Sequence, residues 1–200
     1  MSGKITVFTG PMSSGKTTAL LNCIERYNIR EVKAALFKPS IDQRYAKNKI
    51  LTHNKRYEFS CINISNAKDI LLHKDDYAVF GIDEAMMLDS ELIEVCHYLR
   101  AHGKKVYLST LDMDYLMNPF MFNDAKRSIG DLLAIANEVK KFQAVCTQRD
   151  QKGLISGTDA HYTKRTSTST NLLEVGGLES YTPVSLRFHP SLEKLRKLYN

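Results

Sequence analysis

The segment TVFTGPMSSGKTTALLNC, residues 6–23, constrains the fold of this chain more than any other. Within it, residues 10–17 fit the pattern G-x-x-x-x-G-K-[ST], with an apolar run before them and a helical pattern after them. Glycines let successive backbone N–H groups turn inward around an anion, and the following helix adds the positive end of its dipole. The lysine neutralises terminal phosphates and the hydroxyl can bind Mg²⁺. The segment therefore predicts a strand, a polyphosphate-binding loop and a helix in direct succession.

A second apolar run, YAVFGIDEA, ends in the adjacent acids Asp83 and Glu84. Magnesium takes few protein ligands, so Asp83 is predicted to hold Mg²⁺, directly or through water, with the Thr17 hydroxyl. Adjacent side chains on a strand point to opposite faces, which leaves Glu84 for another task. A carboxylate beside a terminal phosphate can accept the proton of an attacking hydroxyl. Glu84 could also be a surface acid at a helix N terminus, and the Asp-Glu pair positions water in many ATPases, so this pattern leaves the acceptor open.

Apolar runs alternate with amphipathic segments along most of the chain. Strands are predicted at KITVFTG, VKAALFKP, YAVFGID, KKVYLST and EVKKFQAVC, and helices at TTALLNCIERY, DSELIEVCHYLRAHG and FNDAKRSIGDLLAIANEV. This alternation predicts a mostly parallel sheet covered by helices, with ligands at the carboxyl ends of the strands.

After Cys146 the sequence becomes polar and rich in Gly, Ser and Thr. Short β-prone pieces follow (HYTKRTS, NLLEV and PVSLRF), and then the basic helical piece SLEKLRKLY. We therefore predict an α/β domain over residues 1–145, a small β domain over residues 146–190 and a helical tail over residues 191–200.

Composition narrows the class of protein. The chain has 200 residues, 43% of them hydrophobic, which is enough for a buried core. No apolar run approaches the roughly 18 residues of a membrane span and no charged-then-apolar leader is present, so we expect a cytoplasmic protein without a membrane partner. The 4 cysteines form no C-x-x-C pair, which argues against a disulfide framework. The net charge of +6 is spread along the chain, which favours a nucleotide ligand over nucleic acid.

With these residues in place, the chain resembles the type II thymidine kinase family. The resemblance covers nearly the whole chain and is carried, in order, by TGPMSSGKT, FKPSIDQRY, THN, GIDEAMMLD, LDMDYLMNPF, YTKR and EVGGLESYTPV. They resemble the family's T-G-P-M-[FY]-[SA]-G-K-[ST], K-P-x-x-D-x-R-Y, S-H-x-G, G-I-D-E-[AG]-Q-F-F and L-D-x-x-F-x-x-x-P-F motifs and its final β region. The resemblance implies an α/β fold of the P-loop (RecA-like) type, with a small C-terminal β-rich domain. It places the family's lasso loop, which closes over the nucleoside, at residues 173–181.

The resemblance also implies roles for individual residues. It implies ATP and Mg²⁺ as cofactors and Glu84 as the catalytic base. Lys16 is expected to stabilise the transferred charge together with Arg44, whose guanidinium suits phosphoryl oxygens. Asp42 and Arg44 could alternatively form a salt-bridged loop pair. The expected cofactor-binding residues are Gly10, Pro11, Met12, Ser13, Ser14, Gly15, Lys16, Thr17 and Asp83, with Thr17 and Asp83 at the metal.

The implied nucleoside pocket is largely apolar. Taken singly and without the resemblance, most of these side chains would be interpreted as ordinary core residues. The expected substrate-binding residues are Met12, Asp42, Met87, Leu111, Tyr115, Phe120, Val175, Gly176 and Tyr181.

The first departure from the family pattern concerns a structural zinc. Family members usually bind it through two pairs of ligands in C-x-x-C and C-x-x-[CH] spacing. Here the pairs read Cys146-Thr-Gln-Arg149 and Ser185-Leu-Arg-Phe188, so one thiolate of four remains. Tetrahedral zinc needs four ligands, and His161 or His189 nearby is too little to replace the others. We therefore predict that structural zinc is absent.

The second departure concerns the lining of the substrate pocket. The usual Q-F-F after Asp-Glu is Met86-Met87-Leu88, and the usual Phe is Tyr115. Methionine fills irregular space and tolerates different ligands. The base preference therefore stays open among thymidine, deoxyuridine and other deoxynucleosides.

The leading hypothesis is a thymidine kinase that phosphorylates the nucleoside 5′-hydroxyl for DNA precursor salvage. The resemblance implies a homotetramer. A P-loop ATPase of the motor or remodelling class is the alternative, with water as acceptor and a partner-supplied arginine. A third hypothesis is a nucleotide-binding sensor that has lost its activity, although Lys16, Thr17, Asp83 and Glu84 are all present.

Overall fold

A computed structural model describes residues 2–42, 48–51, 58–166 and 180–198. Helices are α1 (Lys16–Asn28), α2 (Leu92–Ala101), α3 (Ile129–Ile135) and α4 (Leu192–Lys197). Strands are β1 (Lys4–Thr9), β2 (Ala34–Pro39), β3 (Lys49–Leu51), β4 (Glu58–Ser60), β5 (Ile62–Ile64), β6 (Val79–Ile82), β7 (Lys105–Thr110), β8 (Glu138–Lys141), β9 (Ala144–Val145), β10 (Asp159–Ala160), β11 (Tyr162–Arg165) and β12 (Tyr181–Val184). Short 3₁₀ helices cover Ala67–His73, Ala85–Met87 and Leu186–Phe188.

The centre of the fold is a 6-stranded sheet in the order β5-β2-β6-β7-β1-β8. Every neighbouring pair in it is parallel, so all the carboxyl ends of its strands lie at one edge. Helices cover both faces, as near-continuous apolar strands require. The predicted α/β fold of the P-loop type is confirmed.

The hydrophobic residues of β1 show how the two layers form. Ile5 and Val7 face the cluster that includes Leu92 and Cys96 of α2, while Phe8 faces the cluster of α1. Helix α1 approaches β6 closely at Gly81, where an added Cβ would lie 2.9 Å from Ile24 Cδ1. A glycine at this strand position therefore lets α1 pack tightly on the sheet.

The helix predicted over FNDAKRSIGDLLAIANEV is much shorter in the structure. Only Ile129–Ile135 is helical, because Ser128 and Asp131 form a capping box that starts the helix at that point. Before it, the Phe122 N–H donates to the Arg127 carbonyl in a turn. After it, Glu138–Lys141 joins the sheet as edge strand β8. The helical periodicity of residues 122–139 was therefore misleading at both ends.

Among its described residues, the small β region contains two antiparallel pairs, β9 with β10 and β11 with β12. The predicted strand EVKKFQAVC is divided into β8, which pairs with β1 in the large sheet, and β9, which pairs with β10. The Phe142 N–H still donates to the Thr9 carbonyl at 2.7 Å, just beyond β8. PVSLRF leaves its strand after Val184 and continues as a 3₁₀ turn. NLLEV lies outside the described residues. In the part of the chain that the structure describes, no helix is long and apolar enough to cross a membrane.

Candidate active site

The candidate site lies where β6, β7 and β1 end side by side. The phosphate loop, residues 10–15, follows β1 directly and leads into α1. Asp83 follows β6, and Ser109 is the penultimate residue of β7. Neighbouring parallel strands thus bring polar groups that are far apart in sequence to one edge of the sheet.

The backbone of the phosphate loop depends on its glycines. Gly10 has φ 135°, and a Cβ there would lie 2.3 Å from the Phe142 carbonyl oxygen. Gly15 has φ 87° at the N-cap of α1, a left-handed conformation that suits glycine. Ser13 also has a positive φ of 59°. The loop is therefore held in a turn that directs backbone N–H groups toward an anion at the start of α1.

The Lys16 ammonium group lies against the phosphate loop. Its Nζ donates to the Pro11 carbonyl at 2.6 Å and to Ser14 Oγ at 3.4 Å, and the residue is 8% exposed. A cation held at this point is positioned to neutralise the terminal phosphates of a bound nucleotide.

Asp83 is the centre of a hydroxyl network. It is 5% exposed, and its Oδ1 accepts from Thr17 Oγ1 at 3.1 Å and from Ser109 Oγ at 2.5 Å. A hydroxyl that donates its proton to a carboxylate keeps its oxygen lone pairs for a cation. Thr17 and Asp83 therefore fit Mg²⁺, which binds through one or two protein oxygens and keeps several waters. Sequence reasoning missed Ser109, although a polar residue at the end of a buried strand was a usable signal.

Strand alternation, which the sequence analysis used to separate Glu84 from Asp83, does not describe the backbone at Glu84. Strand β6 ends at Ile82, so strand alternation does not apply. Instead, Glu84 has φ 50° and ψ 45° and precedes the turn Ala85–Met87. Such a conformation in a residue with a side chain costs about 1–3 kcal/mol and is concentrated at functional sites. Glu84 is half-buried and directly follows the buried Asp83.

Asp42 forms an ion pair with Lys38, a partner that the sequence analysis did not identify. The Lys38 Nζ lies 3.5 Å from Asp42 Oδ2, and the two side chains are 2% and 3% exposed. A buried pair of this kind fixes both side chains, since removing one charge leaves the other uncompensated. The proposed catalytic Arg44 lies outside the described residues.

The predicted pocket residues divide into two groups. Met87 is buried in the large core cluster, with Leu111 and Phe120 packed against it. Met12 and Tyr115 instead contact β11 of the small β region, and Tyr181 belongs to β12 of that region. The Met12 N–H donates to Thr163 Oγ1 at 3.3 Å, and both tyrosine rings contact the Arg165 guanidinium. Val175 and Gly176 lie outside the described residues.

Thr163 and Arg165 therefore join the site without having been predicted. They are two residues apart on β11 and so lie on the same face of the strand. The motif YTKR contained both, but only the folded structure shows which of its side chains meet the phosphate loop and the tyrosines.

The position where the family pattern places zinc ligands is largely apolar. Cys146 is fully buried, with Ala144, Ala160 and Val184, and Phe188 packs against this cluster. Although burial opposes it, hydrogen bonds from the Ser185 and Gln148 backbone and from hydroxyls lower the pKa of the Cys146 thiol. Arg149 is exposed and donates to the Gly153 carbonyl at 2.6 Å. No cluster of three or more His, Cys, Asp or Glu residues that could hold a metal is found within the described ranges.

Two sequence comparisons agree with each other. The sequence model of the thymidine kinase family matches residues 3–189. The curated thymidine kinase of Bacteroides thetaiotaomicron is 33% identical over 182 residues, which cover 91% of this chain and 84% of that protein.

Comparisons with solved structures give weaker similarity. The genome packaging NTPase B204 of Sulfolobus turreted icosahedral virus 2 in complex with ATP-gammaS is 18% identical, with TM-score 0.45, over 76% of this chain and 78% of that one. The Legionella pneumophila ATPase DotB is 16% identical, with TM-score 0.39, over 58% of this chain and 32% of that one. At these TM-scores neither structure carries an argument about the site.

Proposed function

This chain belongs to the thymidine kinase family, and from that premise we propose that it transfers the terminal phosphoryl group of ATP to the 5′-hydroxyl of thymidine. The observation that carries the proposal is the hydroxyl network on Asp83, next to Glu84 in a left-handed turn. This arrangement supplies a cation-binding carboxylate and a separate proton acceptor at the end of one strand.

The phosphate loop and Lys16 bind the polyphosphate of ATP. Backbone N–H groups of the phosphate loop after Met12 surround the phosphates, and the Lys16 Nζ moves from the Pro11 carbonyl to a phosphate oxygen. Thr17 and Asp83 would hold Mg²⁺, which when bound neutralises charge on the phosphate oxygens. These groups act by positioning and by electrostatics, as phosphoryl transfer requires.

Glu84 acts as the base. The nucleoside 5′-oxygen forms a bond to the terminal phosphorus, the bond from that phosphorus to the oxygen of ADP breaks, and Glu84 accepts the hydroxyl proton. General base catalysis of this kind contributes about 10²–10⁴ in rate. The products are ADP and thymidine 5′-monophosphate, which would enter DNA precursor salvage.

The nucleoside is proposed to bind between the phosphate loop and the small β region. Met12, Tyr115 and Tyr181 come together there through β11, and they offer apolar and aromatic surface for a base. A dry site of this kind favours transfer to the sugar over transfer to water. Deoxyuridine is proposed as a second substrate, because it differs from thymidine only in lacking the methyl group of the base.

The family resemblance supports the remaining proposals, which are a cytoplasmic location, magnesium dependence and a homotetramer. Light scattering on the purified protein tests the last of these directly. A mass of four chains would support it, and a monomer at assay concentrations would rule it out.

The central test is transfer of labelled phosphate from ATP to a panel of nucleosides with and without Mg²⁺. We expect labelled thymidine monophosphate that needs the metal. ATP consumption without any labelled nucleoside would contradict the proposal and favour the ATPase alternative.

A further inference from the structure

Arg165 lies between two aromatic rings that come from different parts of the chain. Its Cζ is 3.9 Å from the centre of the Tyr115 ring and 5.3 Å from that of Tyr181. Its Nη2 donates a hydrogen bond of 2.7 Å to the Tyr181 hydroxyl. A single guanidinium thus stacks on one ring and binds the hydroxyl of the other.

The surrounding backbone fixes where this guanidinium lies. Arg165 is paired with Tyr181 in the register of β11 and β12, and the Thr166 N–H donates to the Ser180 carbonyl at 2.8 Å just beyond. On the same face of β11, Thr163 accepts from the phosphate loop at Met12. The position of Arg165 is therefore set both by the hairpin and by the contact of its strand with the phosphate loop.

Arginine is suited to this position for a chemical reason. Its planar group can stack on an aromatic face while its N–H groups donate in the plane, whereas the compact ammonium of lysine cannot do both in the same geometry. Tyr181 is 8% exposed and Tyr115 is half-buried, so the contacts are shielded from solvent. Shielding strengthens the attraction of a cation to an aromatic ring.

We propose that Arg165 is a positioning residue that sets the affinity for the nucleoside by fixing the orientation of the Tyr115 and Tyr181 rings beside it. This inference rests on the proposed function, because it assigns the two rings to the nucleoside. Arg165 touches neither the phosphates nor the reacting atoms in this account. Its loss should therefore act on nucleoside binding and leave the ATP site unchanged.

The test compares Arg165→Met and Arg165→Lys with the wild-type chain. Arg149→Met is the matched control, because Arg149 is an exposed arginine of the same small region whose side chain donates to Gly153. For each protein we would measure KM for thymidine, KM for ATP, kcat, the melting temperature, and direct binding of labelled thymidine by equilibrium dialysis.

Arg165→Met is expected to raise KM and Kd for thymidine by about tenfold, the size of effect that one shielded cation–π contact or one charged hydrogen bond supports. KM for ATP should stay within about twofold, the scatter expected of a site that is not touched. Arg165→Lys should fall between Arg165→Met and wild type, and Arg149→Met should match wild type.

A second variant keeps the inference testable if Arg165→Met does not fold. Tyr181→Phe removes only the hydroxyl that Arg165 binds. Combined with Arg165→Lys, its effect on thymidine Kd should be less than additive, since both changes break the same contact. Additive effects would overturn the inference.

Two further outcomes would also overturn it. If the wild type labels thymidine but Arg165→Met binds it unchanged, the inference alone fails. If Arg165→Met raises KM for ATP as much as KM for thymidine, Arg165 stabilises the small β region in general and has no specific role in nucleoside binding. Wild-type protein that labels no nucleoside would instead overturn the proposed function together with this inference.

Discussion

The carboxyl edge of the sheet and the small β region are stabilised by different kinds of contact. At the edge, Lys16, Thr17 and Asp83 keep the residue types that phosphate and cation chemistry demand, and they contact groups from the phosphate loop and β7. In the small region, an apolar cluster around Cys146 lies at the position where the sequence analysis looked for zinc ligands. The site at the sheet edge is thus held by polar contacts, whereas the Cys146 cluster is held by apolar packing.

The largest expected effect comes from removing the cation of the phosphate loop. Lys16→Met should lower kcat/KM by about 10³, since it removes a charge that stabilises the transferred phosphoryl group. Lys140→Met is the matched control, because Lys140 is an exposed lysine near the site that pairs with Glu138 at 3.3 Å. Steady-state kinetics of both variants checks this, and equal losses would show that general surface charge is responsible.

Asp83→Asn should act almost as strongly and should change the metal dependence. The amide keeps the size of the side chain but loses the charge that attracts Mg²⁺, so more metal is needed for half-maximal activity and kcat falls by about 10² or more. Ser109→Ala removes one donor to the same carboxylate and should have a smaller effect of the same kind. A magnesium titration identical to that of the wild type would contradict the role given to Asp83.

These two regions also show what can be predicted from the sequence. The phosphate loop, β6 and Asp83 were predictable because a local motif specifies local backbone and residue type together. Ser109 and Lys38 were not, since their partners come from other strands or turns whose register only the fold defines. The backbone at Glu84 was predicted wrongly as a continuation of the strand. Its left-handed conformation cannot be recognised from an alternating strand pattern.

The same limit explains the errors in secondary structure. Residues 122–139 have a helical period, but a capping box at Ser128 and sheet pairing at Glu138 decide the actual boundaries. Tertiary pairing overrides local propensity where an edge strand completes a sheet. The assignment of residues 173–181 to a lasso remains a prediction, since residues 167–179 lie outside the described residues.

Smaller effects are expected in the small β region, where we predict that no metal is bound. If packing has replaced zinc, EDTA should leave the melting temperature of the protein unchanged, and elemental analysis should find no zinc. Phe188→Ala should lower the free energy of unfolding by about 1–2 kcal/mol, because this half-buried ring packs against the Cys146 cluster. Unfolding by EDTA would show that a metal still holds this region.

The smallest expected effect is a loss of folding stability at acidic pH. Burial lowers the pKa of His189 below its ordinary value, although backbone carbonyls of Tyr115 and Thr163 favour the charged form. Below about pH 6.5 the unfolded chain therefore binds a proton that the folded chain does not, so stability is full above that pH and falls as the pH drops, by at most about 1.4 kcal/mol per pH unit for one proton. Melting temperatures at pH 7.5 and 5.5 should differ less in His189→Gln, and an equal difference would argue against this residue.

The most direct test of the account is phosphate transfer to thymidine by Glu84→Gln. The substitution keeps the size and hydrogen-bonding shape of the side chain while removing its ability to accept a proton. We expect kcat for labelled thymidine monophosphate to fall by about 10²–10⁴, with KM for ATP and for thymidine little changed. A variant that transfers phosphate at the wild-type rate would contradict the assignment of the base, and with it the mechanism proposed for this site.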